Sequence, residues 1–169
     1  MTKRHVHYER AFEHYLRANR LPYVAIDEAR KTLLPESAAL DALKSFDFLV
    51  YARDRRLIVD VKGRRYRGGR RFENWVTRDD VESLTTWEAM LGDGFEAAFV
   101  FIYALDAQPP DALFECTISH GDVWYALREA TLRHYMPCMR RRSDRWLTVD
   151  VPTASFASIS RPLHLEPPV

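Results

Sequence analysis

Three charged residues stand where the surrounding sequence calls for core. In "FDFLVYARDRRLIVDVKG", residues 46 to 63, two runs rich in Val, Leu, Ile and aromatic residues flank the polar "ARDRR", and Asp47, Asp60 and Lys62 interrupt them. Such runs joined by a short polar turn predict a β-hairpin. Side chains alternate along a strand, so Asp60 and Lys62 share a face with Ile58, while Val59 and Val61 point away. If Tyr51 faces Arg56 across the turn, counting back along both strands brings Asp47 opposite Asp60, a register that a one-residue slip would destroy. Two partly buried carboxylates so placed repel, and leaving them uncompensated costs on the order of several kcal/mol. A positive charge is required between them. Lys62 is one candidate and a divalent cation the better one, since Mg²⁺ is commonly held by one or two carboxylates with waters and phosphate oxygens completing its octahedron. A metal there could polarise a phosphodiester and lower the pKa of a bound water, with Lys62 steering that water or steadying the developing charge. Phosphodiester hydrolysis is the chemistry these residue types suit.

Other elements must hold this hairpin in place. "YERAFEHYLRAN", residues 8 to 19, puts Tyr8, Phe12, Tyr15 and Leu16 on one helical stripe, with Glu9 on its margin, where it could supply a third acid to the metal. "YVAID" (23 to 27) reads as a short strand and residues 28 to 44 as helical or irregular. "TRDDVESLTTWEAMLGDG" predicts a second helix with Thr77 or Asp79 as N-cap and Gly92 as stop. "FEAAFVFIYAL", 95 to 105, has the near-continuous apolar character of a strand covered on both faces. Beyond it, "LFECTIS" predicts a strand, "DVWYALREATLRHYM" (122 to 136) an amphipathic helix ended by Pro137, "RWLTVDV" a late strand, and the tail from Arg161 a loose segment. The expectation is one α/β domain over residues 1–169, with a core at 8–105 and an elaboration at 106–160 packed on it.

Composition narrows the partners. With 169 residues, 47% of them hydrophobic, the chain suffices for one sizeable core. A net charge of +1 is too small to signal a nucleic-acid partner by bulk electrostatics, so the distribution of charge matters more. Arg64, Arg65, Arg67, Arg70 and Arg71 cluster in "RRYRGGRR" directly after Lys62, where arriving phosphates would be gripped. The second cluster, Arg140 to Arg142, reads equally well as a solvated loop. Trp87, Trp124 and Trp146 are expected in the core, and Cys116 and Cys138 as free packing thiols. No apolar stretch approaches the roughly 20 residues that span a bilayer, and "MTKRHVHYER" lacks a secretory apolar segment, so no membrane association and a cytoplasmic location are expected.

An acid, about a dozen residues, then Asp-x-Lys at the end of an apolar strand resembles the signature of the PD-(D/E)xK nuclease superfamily. Here it stands as Asp47 and "Asp60-Val61-Lys62". Glu9 matches the first-helix acid of the resolvase-like branch, and the order of helix, hairpin, helix and apolar strand over residues 8 to 105 is similar to that superfamily's core. The resemblance implies a restriction-endonuclease-like fold with a mixed central sheet. It also implies Mg²⁺, or Mn²⁺ in its place, held by Asp47, Asp60 and Glu9; a catalytic Lys62; DNA as substrate; and an arrangement as a homodimer, common where both strands are cut. Two departures stand out: Phe46 replaces the proline that often precedes the first acid, and the second-helix glutamine of several branches has Glu82 or Ser83 nearest its place. The alternative expectation is a non-catalytic nucleic-acid-binding module on the same fold, and a third is a protein-interaction domain whose acids pair with arginines.

Overall fold

The continuous apolar run at 95 to 105 forms the strand around which the rest is laid down. The computed structural model describes residues 3–26, 43–66, 68, 71–106 and 116–169. The order is α1 (Lys3–Ala18), β1 (Tyr23–Ala25), β2 (Phe48–Tyr51), β3 (Arg56–Arg65), β4 (Val76–Thr77), α2 (Arg78–Leu91), β5 (Phe95–Leu105), β6 (Thr117–His120), β7 (Val123–Thr131), α3 (Leu132–Cys138), β8 (Arg140–Ser143), β9 (Thr148–Asp150), α4 (Thr153–Ile159) and β10 (Arg161–Pro162). A seven-stranded mixed sheet runs β1-β2-β3-β5-β7-β10, with β6 also paired to β7. Among the described residues only β3 and β5 pair in parallel, as their crossover through α2 demands. A second sheet of three short strands runs β4-β9-β8.

Both faces of the large sheet are covered, which is why β5 shows no polar alternation. On one face Ile58, Phe99 and Phe101 pack under Val81, Leu84 and Trp87 of α2, Leu132 and Tyr135 of α3, and Phe156 of α4. On the other, Leu57, Val59, Val61, Val100 and Ile102 pack under Phe12, Tyr15 and Leu16 of α1. Each such fully buried side chain contributes about 1.5–3 kcal/mol. The loop before β4 is pinned by Asn74: its side chain accepts from Val151 N–H at 2.7 Å and donates to Val151 C=O at 2.9 Å.

The described part of the first half follows the sequence-based expectation, and in the second half the strands expected in "LFECTIS" and "RWLTVDV" are present as β6 and β9, while two other segments depart from it. Residues 122 to 136 are not one helix: Val123–Thr131 is strand β7, and only Leu132–Cys138 is helical, with Pro137 in its last turn. Tyr125 and Leu127 face α1, whereas Ala126 and Ala130 face the opposite layer, a period of two. Nor is the tail loose. Arg161–Pro162 pairs with β7, and Leu163 and Leu165 are buried against α1 while His164 and Glu166 point outward. Trp87 is buried and Trp124 partly so, but Trp146 is 67% exposed, contrary to its expected core position. The stretch read as helical or irregular, 28 to 44, lies outside the described residues except for its last two. No helix among the described residues is long and apolar enough to cross a membrane.

Candidate active site

The hairpin has the register that places the acids together. Cα partners run from Tyr51 with Arg56 to Phe48 with Val59. There the regular ladder stops: Asp47 N–H donates to the carbonyl of Val59 at 2.9 Å, and the Asp47 carbonyl accepts from Ile26 N–H at 2.9 Å. The Asp47 carboxylate then reaches across β3, its Oδ2 accepting from Val61 N–H at 2.6 Å. A side-chain oxygen thus takes the place a backbone carbonyl would have held, and the charge is set beside Asp60.

Asp60 and Lys62 point to the α2 side with Ile58. Lys62 Nζ lies 2.9 Å from Asp60 Oδ2 and 3.0 Å from Asp80 Oδ2. Asp80 belongs to the first turn of α2, where it forms a capping box with Thr77: Thr77 Oγ1 accepts from Asp80 N–H at 3.1 Å, and Asp80 Oδ2 accepts from Thr77 N–H at 2.9 Å. Lys44 approaches from the segment before β2 and forms an ion pair with Asp80 through Nζ. Its backbone is held to α2 at two points, N–H to Ser83 Oγ at 3.2 Å and C=O from Trp87 Nε1 at 2.9 Å. Phe46 packs edge-on against Trp87 with ring centroids 5.1 Å apart. Three carboxylates and two ammonium groups therefore share one half-enclosed space, leaving an acid in excess.

The excess falls on Asp47. Burial, then the neighbouring charge of Asp60, pushes its carboxyl to about 8, against the backbone hydrogen bond from Val61 and the weaker field of Lys62; Glu9 adds a smaller push upward. Asp60 is also raised, by burial first, with Lys62 opposing. For Asp80 burial acts upward, yet Lys62 and Lys44 outweigh it and hold the carboxyl below the usual range. Burial acts downward on Lys62, but Asp60 and Asp80 more than offset it, so the amine stays an ammonium with a raised pKa.

Of the residues singled out in the sequence, Asp47, Asp60 and Lys62 are brought together. Glu9 acts on the cluster through its field on Asp47, from α1, which covers the face of Val59 and Val61. What lets α1 come that near is Gly63, where an added Cβ would lie 2.0 Å from the ring of Tyr8. Among the described residues no group of three or more His, Cys, Asp or Glu is gathered closely enough to hold a metal ion.

The arginine cluster divides. Arg64 is only 7% exposed, and its guanidinium stacks on Trp75 at 3.9 Å, bonds the Gly63 carbonyl at 2.7 Å and bonds the Trp75 carbonyl, so it is a buried strut and not a residue of an open phosphate-gripping loop. Arg65 is exposed and pairs with Asp106 at 3.0 Å. Arg71 is exposed and borders the same cleft as Arg140 and Arg142. Arg67 and Arg70 lie outside the described residues. At the second-helix position Ser83 is buried beneath Lys44, and Glu82 is exposed. Asp80 and Lys44 were not singled out by sequence reasoning. "Thr77-Arg-Asp-Asp80" is a recognisable capping-box spacing, but it marks a helix start and carries no hint of the partner Lys62.

This fold has a known counterpart. The chain superposes on the Holliday junction resolvase Hjc of the archaeal hyperthermophile Archaeoglobus fulgidus with a TM-score of 0.53 at 14% identity, over 90% of this chain and 92% of that one. Neither a family model nor a curated protein matches the sequence. The fold is of the restriction-endonuclease-like class, a mixed sheet with a hairpin followed by helix and parallel strand.

Proposed function

We propose that this protein is a metal-dependent nuclease that hydrolyses phosphodiester bonds in DNA. The observation that carries the reading is the juxtaposition of Asp47, Asp60 and Lys62 at the start of a hairpin, in a fold also found in a DNA junction resolvase. The donors fit a hard divalent cation: two neighbouring carboxylates in a cluster with one acid in excess of its ammonium groups, and that acid strongly disfavoured as an anion unless a cation arrives. Asp47 and Asp60 would hold Mg²⁺ or Mn²⁺, with Glu9 adding charge from the neighbouring helix, and such an ion supplies Lewis acidity and an activated water. The protein's own residues do the rest. Lys62 keeps its proton and so steadies developing negative charge or orients water, and is not a base. Asp80 and Lys44 fix where Lys62 can stand. Asp47 is the acid able to change protonation near neutral pH.

The purified protein is expected to nick or cut linear or branched DNA with Mg²⁺ or Mn²⁺ and to lose this on Asp60→Asn or Lys62→Ala with circular dichroism unchanged. Cleavage indifferent to both substitutions removes the reading. One observation favours the second reading, a nucleic-acid-binding module without turnover: Lys62 already bridges Asp60 and Asp80, as a structural ion pair would. That reading expects salt-sensitive DNA binding and no metal-dependent cleavage on any substrate.

A further inference from the structure

The second arginine cluster is not a plain solvated loop. It forms β8, the outer strand of the small sheet, and its hairpin with β9 carries Trp146 and Leu147 at the tip, 67% and 58% exposed. Two large apolar side chains so exposed on a turn present a surface for a partner. It is also held firmly. Leu147 C=O accepts from Arg78 N–H at 2.9 Å, which ties the turn to the start of α2, and Trp146 N–H donates to Ser143 Oγ at 3.3 Å.

Around this tip the chain gathers cations that are far apart in sequence. The pairing of β8 with β9 is irregular between Arg141 and Ser143, so Arg142 is the unpaired residue of a bulge, a device that re-aims a side chain. Its guanidinium lies over Trp75 at 5.3 Å, and that of Arg145 lies over Trp146 at 5.0 Å. Arg71, from the first arginine cluster, borders the cleft that Arg140 and Arg142 line. Arg140 and Arg141 are paired with Asp150 and Asp144, but among the described residues Arg142 and Arg145 make no ion pair. Between Trp75 and Trp146 lies a groove of about 570 Å³ lined also by Arg142 and Thr148. Aromatic faces alternating with unpaired guanidinium groups complement a ligand of flat rings joined by phosphates. The groove is linked to the acids: Arg64, two positions beyond Lys62 on the same strand face, stacks on the Trp75 that Arg142 also covers.

We propose that the β8–β9 hairpin binds single-stranded DNA, stacking an unpaired base on Trp146 and contacting the flanking phosphates with Arg142 and Arg145. Resting on the nuclease reading, this makes the substrate a DNA with an unpaired segment, such as a tail or gap, and not uninterrupted duplex.

The test is binding by the full chain in EDTA, so that cleavage plays no part, followed through tryptophan fluorescence with oligo-dT and with a blunt duplex of equal length. Oligo-dT is expected to quench the wild-type signal. Trp146→Ala is expected to lose most of that quench and to bind oligo-dT about 5- to 100-fold more weakly, with duplex affinity changed less than about twofold. Trp146→Phe should restore most of the binding, and Arg142→Ala with Arg145→Ala should weaken both DNAs and flatten the salt dependence. Oligo-dT affinity equal in wild type and Trp146→Ala overturns the proposal, as does equal loss on both DNAs. The two readings fail separately. Trp146-dependent oligo-dT binding by a protein that cuts nothing with Mg²⁺ or Mn²⁺ leaves this inference standing and removes the nuclease, while cleavage with Trp146-independent binding does the reverse.

Discussion

Among the described residues, buried carboxylate at Glu129 and at Asp60 and Asp80 is neutralised in different ways. Glu129 on β7, with its side chain 1% exposed, has both oxygens 2.8 Å from Nη2 of Arg55, which comes from the β2–β3 turn, and a further ion pair to Arg161 of β10. Two guanidinium groups converge on this acid, with Glu96 of β5 3.8 Å from the other terminal nitrogen of Arg55, and the result is a charge-balanced staple joining the turn, β7 and β10. At the other end of β3, three acids meet two lysines, and the least compensated of them, Asp47, is pushed far from its usual range. The first arrangement compensates its buried charge and the second leaves one acid over. A buried acid in excess is better explained by something the protein binds than by anything it needs in order to fold.

The comparison can be broken at either end. The largest expected effect is on chemistry: Asp60→Asn lowers metal-dependent DNA cleavage about a thousandfold while leaving the urea midpoint near that of wild type. Next, Glu129→Ala leaves the largely buried Arg55 with the longer 3.8 Å contact to Glu96 and should cost about 3–5 kcal/mol in urea unfolding with no specific change in metal binding. Equal stability losses at the two sites would erase the contrast between them.

A pH experiment in EDTA sharpens it. Burial and the charge of Asp60 push the Asp47 carboxyl up from its ordinary 3.8 to about 8, so the folded state holds the extra proton between those values. Stability contributed by that proton is complete below about 4 and is lost as the pH rises towards 8. Asp47→Asn, which cannot ionise, should therefore raise the melting temperature relative to wild type at pH 8 and not at pH 4, and should abolish the stabilisation that Mn²⁺ gives the wild type at pH 8. An identical pH profile for variant and wild type would contradict the assignment of the excess charge to Asp47. The smallest effect is Thr77→Ala, which removes the capping box and should cost about 1 kcal/mol, while freeing Asp80 to release Lys62.

What could be read from the sequence follows the range of the forces involved. The hairpin register was legible because apolar runs on either side of "ARDRR" leave one alignment that buries both, and β5 because eleven apolar-rich residues admit few alternatives to a strand covered on both faces. β7 was not. Val123, Leu127 and Ala130 also satisfy a helical spacing, and Glu129 looks like a polar helix face until Arg55 and Arg161 arrive from elsewhere in the chain. The tail hid its alternation of buried Leu163 and Leu165 behind prolines. In the site, Asp47, Asp60 and Lys62 were visible through a local pattern, whereas Asp80 and Lys44 act through contacts with residues remote in sequence. Trp146 was assigned to the core on residue type alone, and its place at a turn tip depends on the β8–β9 pairing.

Whether Asp47 and Asp60 hold a cation is decided by crystals grown with Mn²⁺ and read for anomalous scattering. A peak in contact with both carboxylates is expected, with Lys62 still anchored by Asp80; no peak at saturating Mn²⁺, with Lys62 bridging Asp60 and Asp80 unchanged, would rule the cation site out.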